Sequence, residues 1–87
     1  MYLHVGGDVS VRTDRILTIC DLDNASFSRH TRDFLRTAEQ EGRVVNVTDE
    51  LPKSFISCAG ADGKCIVYLS QLNSATLLRR AEAIFSE

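Results

Sequence analysis

The sequence predicts an α+β fold: a single small domain of order βββαβββα, a mainly antiparallel or mixed sheet with two helices packed on it. Three observations predict this. Short apolar runs with a period of two, or nearly continuous, fill most of the chain; two longer stretches carry helical stripes; and 87 residues leave room for one hydrophobic core.

Residues 2–12 read as a hairpin, because Leu3, Val5, Val9 and Val11 share one face if Gly6-Gly7-Asp8 makes a three-residue turn. Tyr2, His4 and Ser10 then share the other. The stretch RILTICDL, residues 15–22, is apolar or β-branched at nearly every position, which predicts a central strand covered on both faces. From Phe27 the period lengthens. Phe27, Thr31, Phe34, Leu35 and Ala38 make the buried stripe of a helix over about 27–41, with Ser26 or Ser28 to cap it and Gly42 to end it.

Arg43 to Val47 and Ser54 to Cys58 read as two strands joined by the exposed polar loop Thr48-Asp49-Glu50-Leu51-Pro52-Lys53. Ala61-Asp62-Gly63 turns the chain into KCIVYLS, residues 64–70, a well-buried strand. A final helix begins at about Ser74 and buries Leu77, Leu78, Ala81, Ile84 and Phe85.

Hydrophobic residues at 44% and one proline place the chain among ordinary globular domains and exclude a disordered one. A domain this small buries only about 60% of the surface its unfolded chain exposes, so self-association would stabilise it and a homo-oligomer is expected. Twelve acids against ten bases give a formal charge of −2, which excludes bulk positive charge as a grip on nucleic acid. DNA contact would need a local patch, or repetition in an oligomer. No apolar run approaches the roughly 20 residues of a membrane span, and MYLHVGGDVSV does not resemble a secretory leader. Cys20, Cys58 and Cys65 make an odd count inside apolar stretches, so the cytoplasm is the expected location. Cys58 and Cys65 could face each other across a hairpin and oxidise, but they read first as core thiols.

Catalytic and metal chemistry find little support. His4 and His30 are the two histidines, and neither has metal-ligand spacing to a cysteine or carboxylate pair, nor an obvious orienting partner. Asp21, Asp23 and Asn24 open like a calcium loop, yet Ser26 stands where its glycine belongs and Arg32 where its last carboxylate belongs. Gly6-Gly7 is followed by a strand rather than a helix, so it is a turn and not a phosphate loop. The expectation is a non-enzyme without a cofactor or metal.

The arginines are the positive features. Arg29, Arg32 and Arg36 lie on one helix face off the apolar stripe, where Asp33 can pair with Arg29 or Arg36. A solvated face with local ion pairs explains them as well as a phosphate contact does. Arg12 and Arg15 bracket the turn before the third strand, and Lys53 ends the loop entering the fifth. Strand ends and loops point side chains into solvent from a rigid frame, which suits phosphate contact.

The segments Leu3-His4-Val5-Gly6-Gly7-Asp8-Val9, Arg15-Ile16-Leu17-Thr18-Ile19, Thr31 to Ala38, Glu39-Gln40-Glu41-Gly42 and Pro52-Lys53-Ser54-Phe55 resemble the RemA/RemB family of bacterial regulators of extracellular-matrix and biofilm genes. The likeness is strongest to the RemB branch, spans residues 2 to about 70, and weakens in the last helix. It implies a cytoplasmic transcription regulator, a ring-like homo-oligomer that displays many copies of a small basic site to DNA at promoter regions. Carried over by position, that site implies Arg15 before the third strand and Lys53 entering the fifth; by their own placement Arg12 supports it and Arg29, Arg32 and Arg36 are secondary candidates. The RemA branch has adjacent arginines in the second loop; here the loop reads Asp49-Glu50-Leu51-Pro52-Lys53, whose acids oppose phosphate. A scaffold or partner-binding module of the same fold is the alternative function.

Overall fold

The computed structural model describes residues 1–22 and 29–85, the last two of these by backbone alone. The chain runs β1 (Tyr2–Gly6), β2 (Val9–Arg12), a 3-10 turn (Thr13–Arg15), β3 (Ile16–Asp21), α1 (Arg29–Gln40), β4 (Val44–Asn46), β5 (Ser54–Ala59), β6 (Cys65–Ser70) and α2 (Ser74–Phe85). The order βββαβββα is thus the observed one. The expected first helical residue Phe27 and the caps Ser26 and Ser28 lie outside the described residues, as do Asp23 and Asn24.

The strands form two sheets where one was expected. β1 and β2 make a two-stranded ribbon, and the other four make a mixed sheet in the order β3-β5-β6-β4. Only β4 and β6 run parallel in it; β5 pairs antiparallel with both neighbours. The ribbon stays separate because its inward side chains pack face-on against the larger sheet instead of extending it edge-on. Leu3, Val5 and Val11 are buried together with Ile56, Cys58, Leu77 and Ala81.

Antiparallel partners project to the same side, so the register sorts the side chains. Ile19, Ile56 and Tyr68 face the ribbon and α2, while Cys20, Phe55 and Leu69 face α1. On the α1 side Ala38, Phe55 and Val67 are buried, with Phe34, Leu35 and Val44 around them. The result is three layers: α1, the four-stranded sheet, and the ribbon with α2.

Local chemistry explains the element ends. Gly42 takes a φ of +71° and closes α1, with Arg43 N donating to the Ala38 carbonyl at 2.8 Å. Asn73 caps α2, its side-chain oxygen accepting from Thr76 N at 2.8 Å. The hairpin turn is tighter than expected: Gly6 already pairs with Val9, leaving Gly7 and Asp8 at the tip and a bulge before Gly6. At Gly7 a φ of +51° combines with close approach, since a Cβ there would lie 2.9 Å from the Val47 carbonyl oxygen.

Three further expectations need correction. β3 is an edge strand, with Leu17 58% exposed, and the central strands are β5 and β6. A continuous apolar run reports what covers a strand's two faces, and it carries no information on what lies along its edges. In α2, Leu77 and Ala81 are buried but Leu78 is 46% exposed, on the wall of a cleft it shares with Ile16 and Leu17; the side chains of Ile84 and Phe85 lie outside the described residues. Cys58 pairs with Ile66 and Cys65 with Ala59, so the two thiols project from opposite faces of the sheet and do not oppose each other. All three cysteines are free.

Candidate nucleic-acid interface

Arg15 is exposed at the end of the 3-10 turn, the last residue before β3. The strand it enters sets its backbone direction, because Ile16 is already extended and paired with Cys58. Lys53 is exposed at the entry to β5, and its peptide is clamped on both sides: its N–H donates to the Ser70 carbonyl and its carbonyl accepts from Leu22 N, each at 2.8 Å. Neither side chain forms an ion pair among the described residues.

The two do not meet within one chain. β3 and β5 are antiparallel, with Ile16 opposite Cys58 and Asp21 opposite Ser54, so Arg15 and Lys53 mark opposite ends of this strand pair. The six residues of β3 separate them by about 20 Å at about 3.3 Å each.

The supporting cations differ in availability. Arg12 lies near Arg15 in sequence, but its guanidinium is bound to Asp14 at 2.8 Å, which offsets its charge. Arg29 stands 3.9 Å from Asp33 in an exposed i,i+4 pair, so of the two arginines expected to share Asp33 it is Arg29 that does. Arg32 and Arg36 are exposed on α1 without an ion pair among the described residues. Lys53 shares its loop with the exposed Asp49 and Glu50, and that loop is held in shape by Thr48 N donating to Asn46 Oδ1 and Glu50 N to Thr48 Oγ1. The candidate cations are therefore dispersed over the two ends of the β3–β5 pair and the exposed face of α1.

Several polar residues have roles that sequence reasoning missed. Arg43 donates to the Cys65 carbonyl and to Glu41, both at 2.7 Å, strapping the end of α1 to the start of β6. Arg80 reaches the ring of His4 at 3.3 Å, while His4 Nε2 lies 2.8 Å from the Gly7 carbonyl. That carbonyl can only accept, so Nε2 carries the proton and Nδ1 accepts from Arg80. The adjacent Arg79-Arg80 pair, off the Leu77–Ala81 stripe, was the available signal. Asp21, at the end of β3, accepts from Ser74 N at 3.0 Å at the start of α2.

Two of the thiols are held toward the protonated form. Burial pushes the Cys58 thiol up to about 11, with the nearby Cys65 adding to the rise. Cys20 is raised by burial and then by Asp21. A cleft of about 380 Å³ separates α1 from β3 and β5, with Leu17, Cys20, His30 and Phe34 on its walls. Among the described residues no group of three or more His, Cys, Asp or Glu is placed to hold a metal ion.

The RemA-like family, described as extracellular matrix regulatory protein A-like, matches residues 2–81. The chain belongs to this family. Extracellular matrix regulatory protein B of Bacillus subtilis (strain 168) is a relative, 34% identical over 85 residues, which cover 98% of this chain and 95% of that protein. The match to the RemA-like family takes in both sheets, α1 and the first turns of α2, so it includes Arg12, Arg15, Lys53 and the α1 arginines. No helix among the described residues is long and apolar enough to cross a membrane.

Proposed function

We propose that this RemA-like protein is a cytoplasmic, homo-oligomeric transcription regulator of extracellular-matrix and biofilm genes that binds DNA phosphates through Arg15 and Lys53. The observation that carries the reading is the family match over residues 2–81, joined to the placement of these two cations on rigid strand ends with no competing ion pair among the described residues. The regulatory names of the family and of the Bacillus subtilis relative favour a role without catalysis.

A formal charge of −2 is compatible with this only if contacts repeat. A ring-like assembly supplies the repetition, since modest phosphate contacts on successive subunits act together once the first has formed. Titration of promoter DNA and of random DNA against the protein across salt tests the reading: binding that weakens linearly in log salt supports it. Absence of binding to either DNA at low salt, in an intact oligomer, would instead support the scaffold or partner-binding role, which the acids Asp49 and Glu50 beside Lys53 favour.

A further inference from the structure

We propose that the outward face of the β1–β2 ribbon reads base edges in the DNA major groove, with Arg12 as its guanine-reading residue. The inference rests on the DNA-binding role proposed above, and it supplies the sequence discrimination that phosphate contacts through Arg15 and Lys53 cannot give.

The ribbon has one face in the core and one in solvent. Leu3 pairs with Val11, and both are buried with Val5 against the sheet. Tyr2 pairs with Arg12 and His4 with Ser10, so these four project together on the opposite side, and all four are exposed. None of them is acidic, in a chain whose formal charge is −2. The face is also held in place. Arg80 of α2 donates to the His4 ring and to the His4 carbonyl, each at 3.3 Å, and the Ser70 hydroxyl holds the Val5 carbonyl.

Size and flanking charge select duplex DNA as the occupant. Two strands about 4.8 Å apart fit a major groove about 12 Å wide. The four-stranded sheet has no face to offer, since α1 covers one side and the ribbon with α2 covers the other. Arg15 follows Arg12 by three residues at one end of the ribbon. Lys53 stands toward the other end, its N–H bonded to the carbonyl of Ser70, whose hydroxyl binds Val5 just before the hairpin tip. The roughly 20 Å between these cations along β3 is then the span needed to reach phosphates on both sides of the groove. The exposed face of α1 lacks this frame, because the Asp33 carboxylate stands among its arginines.

Arg12 is built as a base reader rather than a phosphate clamp. Asp14 holds its Nη2 at 2.8 Å, which offsets the charge a phosphate would need and restrains the plane of the guanidinium. Its other N–H groups are unbound among the described residues, and two suffice for the paired bonds to guanine O6 and N7.

The test is selection from a random duplex pool by the wild-type protein. The enriched duplex is then titrated by anisotropy beside the same duplex with 7-deazaguanine in place of guanine. That base lacks the N7 acceptor and leaves every phosphate in place. Wild type should bind the substituted duplex about fivefold or more weakly. Arg12→Gln should bind the unmodified duplex more weakly, no longer distinguish the two, and keep the wild-type salt slope. Arg15→Ala should flatten the slope yet keep the discrimination. If Arg12→Gln fails to fold, the wild-type comparison alone decides. Equal wild-type affinity for the two duplexes, a bound pool in which no sequence is enriched, or a flattened slope in Arg12→Gln overturns the ribbon as reader and leaves the phosphate role standing. Wild-type protein that binds no duplex at low salt overturns both.

Discussion

Ser70, at the end of β6, donates its hydroxyl to the carbonyl of Val5 in β1, and the same oxygen accepts from Leu72 N at 3.0 Å. Both Ser70 and Val5 are fully buried, so this bond fastens the ribbon to the sheet where water cannot replace it. Ser70→Ala leaves the Val5 carbonyl buried without that donor and should cost about 1–3 kcal/mol of stability. Urea denaturation checks this, and a loss below about 0.5 kcal/mol, the range of an ordinary surface change, would show that the ribbon is held by packing alone.

Cys58 should be slow toward thiol reagents near pH 8, because burial keeps it protonated with its pKa at about 11. Its pKa lies above that of the unfolded chain, so the stabilisation it brings is complete below the unfolded value of 9.0 and is lost as pH rises toward about 11. Timed alkylation with mass mapping reads the first point. A Cys58–Cys65 disulfide recovered from folded protein would contradict their placement on opposite faces.

The α1 arginines should matter less than the strand-end cations. Arg29→Ala removes an exposed pair with Asp33 and should change stability by no more than about 0.5 kcal/mol. Arg32→Ala and Arg36→Ala should stay in the same range, as exposed substitutions do. Each should reduce DNA affinity less than Arg15→Ala; a larger loss in a gel-shift or anisotropy titration would move the site to this helix face.

Much of the architecture was legible because hydropathy period reports face coverage directly. Leu3, Val5 and Val11 in the ribbon, Ala38 in α1, and Leu77 and Ala81 in α2 are buried where their spacing places them. What stayed hidden is what no period encodes. The lateral neighbours of β3 depend on backbone pairing, so its apolar run could not distinguish an edge from a centre. The split into two sheets depends on how the ribbon docks, which Ser70 and Val5 settle from 65 positions apart. The basic residues Arg15 and Lys53 could be picked by type and strand-end position, yet the antiparallel β3–β5 register that separates them is a tertiary fact. Arg43 and Arg80 escaped notice for a similar reason, since each acts on partners far away in sequence, Cys65 and His4.

The most direct test of a phosphate-binding role is the slope of log affinity against log salt, measured for wild-type, Arg15→Ala and Lys53→Ala proteins on one DNA duplex. Both residues are exposed, so folding stability should move by no more than about 0.5 kcal/mol. Each variant should bind every sequence more weakly, and its slope should flatten by about 0.9 for every phosphate left without its cation, summed over the subunits that touch the duplex. Unchanged affinity and slope in both variants, with the proteins folded and of wild-type mass, would contradict the account.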